Sequence, residues 1–351
     1  MLAAAVTLDL VAVTVRRNDD QICICSTGYA PVRLRTSDLA PRTKERNTSV
    51  ALVRGIAARL RETGYRVGGF DAFVTSDVPK GSGLSSSAAY SILIATIFSY
   101  LFNDGSVTPL EQALVSKFAE NNYFGKPSGL MDQLACAVGG FATIDFLDAE
   151  NPVVERVDCD LEKLGYAVCI VNARGSHSNL TPEYAAVPAE MGQVAACFGK
   201  THLRQVDEIA FYNRLGSLRK QVSDRALLRA IHFFEENARV PEQVQALKAG
   251  DMSQFRKLML ASGESSFTQL QNVCPSNASE RSIALALALS RRMLQDIGAW
   301  RIHGGGFAGT IQALVPLDHI AAYTAEMERV FGAGCYYRLT VRPVGGVEII
   351  L

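Results

Sequence analysis

The chain has no surplus of either charge: 35 Lys and Arg balance 35 Asp and Glu over 351 residues. A nucleic-acid footprint needs a basic excess, and the most basic stretch, 33–46, contains Asp38 and Glu45. There is no Cys-x-x-Cys spacing. The eight cysteines (Cys23, Cys25, Cys136, Cys159, Cys169, Cys197, Cys274 and Cys335) are scattered, a pattern of reduced cytoplasmic thiols and not of a disulfide frame. Cys23 and Cys25 share one face of an expected strand, where packing explains them. The apolar start, Met1 to Leu10, lacks the basic lead of a signal peptide. The longest apolar run, Ala88–Phe102, is broken by Ser91, Thr96 and Ser99. It is too short to span a bilayer and reads as a buried central helix. Internal repeats, low-complexity tracts and linker runs are also missing. What remains, at 48% hydrophobic and 20% charged, is a soluble globular chain long enough for two domains.

The organising stretch is Val74–Phe102. A strand, 73–76, enters a turn at Pro79-Lys80. Gly81 and Gly83 let the backbone approach a ligand closely. Ser85, Ser86 and Ser87 then stand where a long apolar helix begins. Such a start carries unpaired N–H groups and a partial positive charge, which favour an anion. The serine hydroxyls add donors for phosphate oxygens and ligands for Mg²⁺. A Ser/Gly turn that only caps a helix has the same composition. Two other phosphate loops are excluded: no Lys follows Gly83 as a Walker loop requires, and Ser86 stands where a dinucleotide fingerprint needs glycine.

Asp132 opens a second short apolar helix, Leu130–Val138, after a loop bracketed by Gly125 and Gly129. An acid in a first turn is also a simple dipole partner. Gly304, Gly305 and Gly306 interrupt apolar strand sequence, poor strand material unless backbone must approach another group. The coarse reading along the chain is a hairpin of Leu2–Val15 with Gln21–Ser26, then a helix over Ser49–Thr63 with Thr48 or Ser49 as its cap. A turn and strand follow over 64–75, then a helix over Pro109–Asn121 and strands at Gly140–Leu147 and Tyr166–Asn172. Helices fill 188–257, Ile283–Ile297 and His319–Phe331. Strands Cys335–Val341 and Val347–Leu351 close the chain. His177 reads as a structural histidine without a role.

The stretch Pro79 to Ala89 resembles the phosphate loop of the GHMP small-molecule kinases. Two further stretches narrow the resemblance to galactokinase of bacterial type: Gly129-Leu130-Met131-Asp132-Gln133, and Gly175-Ser176-His177 through Leu180-Thr181-Pro182-Glu183-Tyr184-Ala185. Asn47 to Gly55 also resembles the family segment that runs along the nucleotide cleft, although its helical spacing alone reads as core. The resemblance implies an α+β, two-domain GHMP kinase fold. Residues 1–160 would be a ribosomal protein S5 domain 2-like nucleotide-binding domain, and residues 161–351 a ferredoxin-like domain. It implies that Gly81, Ser82, Gly83, Leu84, Ser85, Ser86 and Ser87 hold ATP phosphates, buttressed by Gly304, Gly305 and Gly306. Ser86 would be a Mg²⁺ ligand, Asp132 the catalytic residue, and Gly129, Asp132 and Tyr184 sugar contacts. The expected reaction is ATP plus galactose giving galactose 1-phosphate and ADP, in a cytoplasmic monomer or weak dimer without nucleic-acid or membrane partners.

Two departures from the family are expected to weaken turnover. The family's sugar-binding Glu-His-x-Asp segment and its leading Arg are not found, and Ser91 stands where the family usually has a Mg²⁺-directed Glu. Competing expectations are a kinase for another alcohol such as a heptose or mevalonate, a non-catalytic nucleotide or sugar sensor, and a piece of a longer gene product.

Overall fold

A computed structural model of the chain describes residues 1–78, 84–148, 150–175, 180–275, 279 and 281–350. They divide into an N-terminal unit, Ala3–Ala142 with Val341–Leu351, and a C-terminal unit, Met1–Leu2 with Thr143–Thr340.

The strands that open the chain are β1 (Leu2–Ala4), β2 (Leu10–Arg16), β3 (Gln21–Ser26) and β4 (Val32–Arg35). Helix α1 (Ser49–Glu62) follows, capped by the Thr48 hydroxyl on the Ala51 N–H. Next come β5 (Phe70–Ser76), α2 (Ser86–Asn103), α3 (Pro109–Phe118), a π-helical turn at Ala119–Phe124, α4 (Met131–Val138) and β6 (Phe141–Asp145). The expected hairpin does not form. β5 lies between β2 and β3, antiparallel to the first and parallel to the second, in a sheet ordered β2-β5-β3-β4. The residues between β2 and β3 are drawn to β5 instead of closing a hairpin turn over Arg17-Asn18-Asp19-Asp20. Arg17 forks between Asp19 and Asp71, and the backbone of Asp19 and Gln21 presses on Gly69, leaving no room for a β-carbon. One face of the sheet carries Ile22, Ile24, Phe70 and Val74 into the core. There they meet Val53, Ile56 and Leu60 of α1 and Ile94 and Phe98 of α2, with Phe70 edge-on to Phe98 at 5.4 Å. The other face leaves Val11, Val13, Val15 and Phe73 exposed.

Helix α2 runs 18 residues, beyond the apolar run that predicts it, so by length and composition alone it is long enough to cross a membrane. Its buried side chains pack in this core. The face of α1 that resembles a nucleotide-cleft segment is core as well: Ala51, Val53, Ile56 and Ala57 are buried. Arg54 on that helix is buried with it. Arg54 is held by Glu45 at 2.7 and 2.9 Å and by the Asp38 carbonyl.

Residues 341–346 belong to this unit. Val341 bridges Val6, and Arg342 exchanges backbone hydrogen bonds with Ala5 and Gly140. Gly345 lies on the Ala137 carbonyl and Gly346 on Thr96, each too tightly for a side chain. The strand expected at Val347–Leu351 is absent over 347–350, which run irregularly with Ile349 and Ile350 exposed. Pro343 and the Gly345-Gly346 pair break the extended pattern, and the Arg342 side chain holds the turn by donating to the Val344 and Gly345 carbonyls.

The C-terminal unit contains β7 (Val153–Val157), β8 (Tyr166–Asn172), α5 (Thr181–Ala196), α6 (Glu208–Asn213), α7 (Leu215–Leu218), α8 (Asp224–Ala249) and α9 (Met252–Ser265). It continues with α10 (Ser282–Leu294), β9 (Ala299–Ile302), β10 (Thr310–Pro316), α11 (Ile320–Phe331) and β11 (Tyr336–Leu339). Strands β8, β9, β10 and β11 form an antiparallel sheet ordered β11-β8-β10-β9. With α10 before β9 and α11 before β11, this is the ferredoxin-like β-α-β-β-α-β arrangement, with helices α5–α9 inserted after its first strand. The alternation of β8 and β10 puts Cys169, Val171, Ile311, Ala313 and Val315 into one core with Tyr323 and Met327 of α11.

Candidate active site

Helix α2 starts at Ser86, after residues 79–83, so the expected phosphate-loop residues Gly81, Ser82 and Gly83 lie outside the described residues. Leu84, Ser85 and Ser87 are half-buried and Ser86 is exposed. Ser85 occupies the N-cap position in the left-handed conformation, φ 56 and ψ 43, and its side chain caps none of the helix N–H groups. The hydroxyl turns away from the helix. It donates to Asp132 Oδ2 at 2.6 Å, across 47 residues of sequence. That length is typical of a hydroxyl on an ionised carboxylate.

Asp132 sits in the first turn of α4, also without a side-chain cap at its N-cap Leu130. Two helix starts therefore bring their partial positive charge to one carboxylate. The loop before α4 is fixed by two devices. Gly125, at φ +91, ends the π-turn by donating to the Glu120 carbonyl at 2.9 Å. Asn121 then clamps Ser128, accepting from its N–H at 2.7 Å. Gly129, the expected sugar contact, is exposed, and among the described residues nothing stands within 4 Å of where its β-carbon would be. The next helix residue, Gln133, is buried and donates to the buried Glu120 at 3.1 Å. One turn beyond Asp132, desolvation pushes the Cys136 thiol up to about 12, with the Asp132 charge adding to it. Cys136 is consequently an inert thiol at neutral pH.

Ser91, where the resemblance leads one to expect a carboxylate, is fully buried on α2, and its hydroxyl has no hydrogen-bond partner among the described residues. Among those residues no group of three His, Cys, Asp or Glu gathers to hold a metal.

Tyr184 and the three glycines belong to the C-terminal unit and meet one another there. Tyr184 donates from its hydroxyl to the Gly306 carbonyl at 2.8 Å. Its ring stands edge-on to Phe307 at 5.4 Å, and a β-carbon on Gly305 would lie 3.0 Å from that ring. On the other side Asn272 donates to the Gly305 carbonyl at 3.1 Å and accepts from the Phe307 N–H. Gly304 and Gly306 have φ of +68 and +83, so the triple glycine makes a shaped turn and not a loose one. His177 lies outside the described residues. Sequence marks Asn272 only as part of Leu270-Gln271-Asn272, which resembles the galactokinase pattern, and gives it no partner. Glu120 is not singled out by sequence, because it is a lone acid in a helical pattern whose spacing signals no partner.

The family model for the GHMP kinases N terminal domain matches residues 51–140. Galactokinase of Streptomyces coelicolor is 32% identical over 327 residues, 92% of this chain and 81% of that relative. The chain belongs to the galactokinase family. Galactokinase of Actinobacillus pleuropneumoniae is 34% identical over 261 residues, 74% of this chain and 65% of that relative. In three dimensions, Lactococcus lactis galactokinase complexed with galactose matches with a TM-score of 0.80 at 20% identity, over 98% of this chain and 88% of that one. L. major mevalonate kinase in complex with R-mevalonate matches with a TM-score of 0.60 at 15% identity, over 98% and 90%. The GHMP kinase fold is thus shared with kinases of another alcohol, and the fold by itself selects no substrate.

Proposed function

We propose that this chain phosphorylates galactose with ATP, giving galactose 1-phosphate and ADP. The observation that carries the reading is the Asp132 carboxylate gripped at 2.6 Å beside the start of α2, in a member of the galactokinase family. Phosphoryl transfer asks chiefly for alignment and charge neutralisation. The Gly81, Ser82, Gly83, Leu84 loop with Ser86 and Ser87 would hold the phosphates against the bare N–H groups of α2. Asp132 would take the proton of the sugar hydroxyl as its oxygen attacks the terminal phosphorus and the bond to the ADP oxygen breaks. Gly129, three residues before Asp132 in the same unit, would seat the sugar.

The Ser86 oxygen is the kind of donor preferred by Mg²⁺, a hard cation that keeps water and phosphate as most of its ligands. The exposed Ser86 hydroxyl would hold it, supplying charge neutralisation for the phosphates. The absence of a carboxylate at Ser91 supports weaker Mg²⁺ binding than in relatives that have one, and slower turnover with it.

A coupled ADP-release assay tests the reading. Galactose is expected to drive ADP formation over mevalonate and heptose controls, and Asp132→Asn to lower kcat by about 10²- to 10⁴-fold. ATP binding by calorimetry with no galactose-dependent ADP would overturn it in favour of a nucleotide sensor, which the carboxylate-free position 91 would suit.

A further inference from the structure

We propose that Ser85 is a positioning residue for Asp132 and not a ligand of the nucleotide phosphates. This rests on the reading of Asp132 as proton acceptor, and it parts Ser85 from its neighbours Ser86 and Ser87. A serine at an N-cap ordinarily has extended backbone and accepts a hydrogen bond from an N–H of the first turn. Ser85 does neither: its backbone is left-handed, at φ 56, and its side chain caps nothing. Non-glycine residues avoid that region unless the surroundings hold them there. What the unusual backbone achieves is direction, since the hydroxyl reaches Asp132 Oδ2 at 2.6 Å.

A serine hydroxyl has a single proton. While that proton is given to Asp132, none is offered to a phosphate oxygen. The gift has one consequence for a base. It fixes one carboxylate oxygen and leaves Oδ1 to meet the incoming hydroxyl. The first-turn N–H groups of α2, uncapped by Ser85, stay available to an anion.

Three variants separate the roles. Ser85→Gly removes the hydroxyl and relieves the left-handed backbone. Ser85→Ala removes the hydroxyl alone. Ser85→Thr keeps it. Gly and Ala are expected to lower kcat by about 10- to 100-fold, with the calorimetric Kd for Mg-ATP within about twofold of the parent. KM for galactose should move by less than about twofold, so that the loss falls on kcat, and Thr should restore most of the rate. The Gly variant should melt no lower than the parent, so its loss of rate cannot be a loss of fold. A readout free of turnover is the ¹³C resonance of the side-chain carboxyl of Asp132 at neutral pH, assigned with Asp132→Asn. That resonance should shift in Ser85→Gly and return towards the parent position in Ser85→Thr.

Weaker Mg-ATP binding by tenfold or more in Gly and Ala, with an unmoved carboxyl resonance, would make Ser85 a phosphate ligand and overturn the proposal. If the parent itself does not phosphorylate galactose, the functional reading fails on its own. The carboxyl resonance then decides for or against Ser85.

Discussion

Gly306 shows how much a single position can require. Its φ is +83, and the Asn272 carbonyl stands where a β-carbon would go. Gly306→Ala therefore meets both a disfavoured backbone and an overlap with main chain that cannot yield cheaply. The expected cost is about 2–4 kcal/mol. Urea unfolding followed by the fluorescence of Trp300, the single tryptophan, reads it within the same unit. At this scale the sequence was informative about residue kind and silent about pairing. Asp132, Ser85 and the glycines stand out in their local patterns. That the Ser85 hydroxyl goes to Asp132, or that Tyr184 and Asn272 grip the glycine turn from two sides, depends on contacts between segments far apart in the chain. No local period encodes those, and Glu120 beneath Gln133 was illegible for the same reason.

Among the elements, α1 owes its close seat on the π-turn to Gly55. A β-carbon there would come within 2.9 Å of Ala119 and Tyr123. Alanine is the better helix former by about 1 kcal/mol, yet overpacking costs about 1–3 kcal/mol, and here the obstacle includes backbone. Gly55→Ala is expected to be destabilising on balance, with faster hydrogen exchange at the α1 amides as the measurement. Elements with a strong period came out of the sequence nearly at their bounds. Helix α1, expected at Ser49–Thr63, ends at Glu62, and β8 is Tyr166–Asn172 as read. Strand partnership did not come out. The sequence around Arg17–Asp20 has turn character, but β5, some fifty residues on, inserts between β2 and β3. The register is then locked by Arg17 on Asp71 and by the bare Gly69. Likewise the final apolar residues have strand composition but no described neighbour to pair with, and Gly345-Gly346 spends its conformational freedom on contact with α4 and α2.

For the molecule as a whole, the clearest handle is acid. His232 is buried between α8 and α9, with its ring nitrogen 2.8 Å from Ser265 Oγ. Desolvation lowers its pKa from 6.5 to about 4, while Glu236 opposes the shift. The unfolded chain thus takes up this proton at higher pH than the folded one. Stability is whole above pH 6.5 and declines as pH falls towards 4. Between pH 7 and pH 5 the loss should be about 2 kcal/mol, and His232→Gln should remove most of that slope in urea unfolding read by Trp300. The α+β class and the ferredoxin-like ending were legible at this scale from the order of elements. The membership of residues 341–346 in the N-terminal unit was not, because nothing local marks a segment that packs on a helix two hundred residues earlier.

That late segment has a consequence for synthesis. The ribosome delivers α4 early, but the glycines that settle on Ala137 and Thr96 emerge only after the entire C-terminal unit has been translated. During elongation the helix bearing Asp132 lacks its cover, and the N-terminal unit waits, incomplete, for just over half of the 351 residues. A chain cut before residue 341 is therefore expected to leave α4 without the contacts of Gly345 and Gly346.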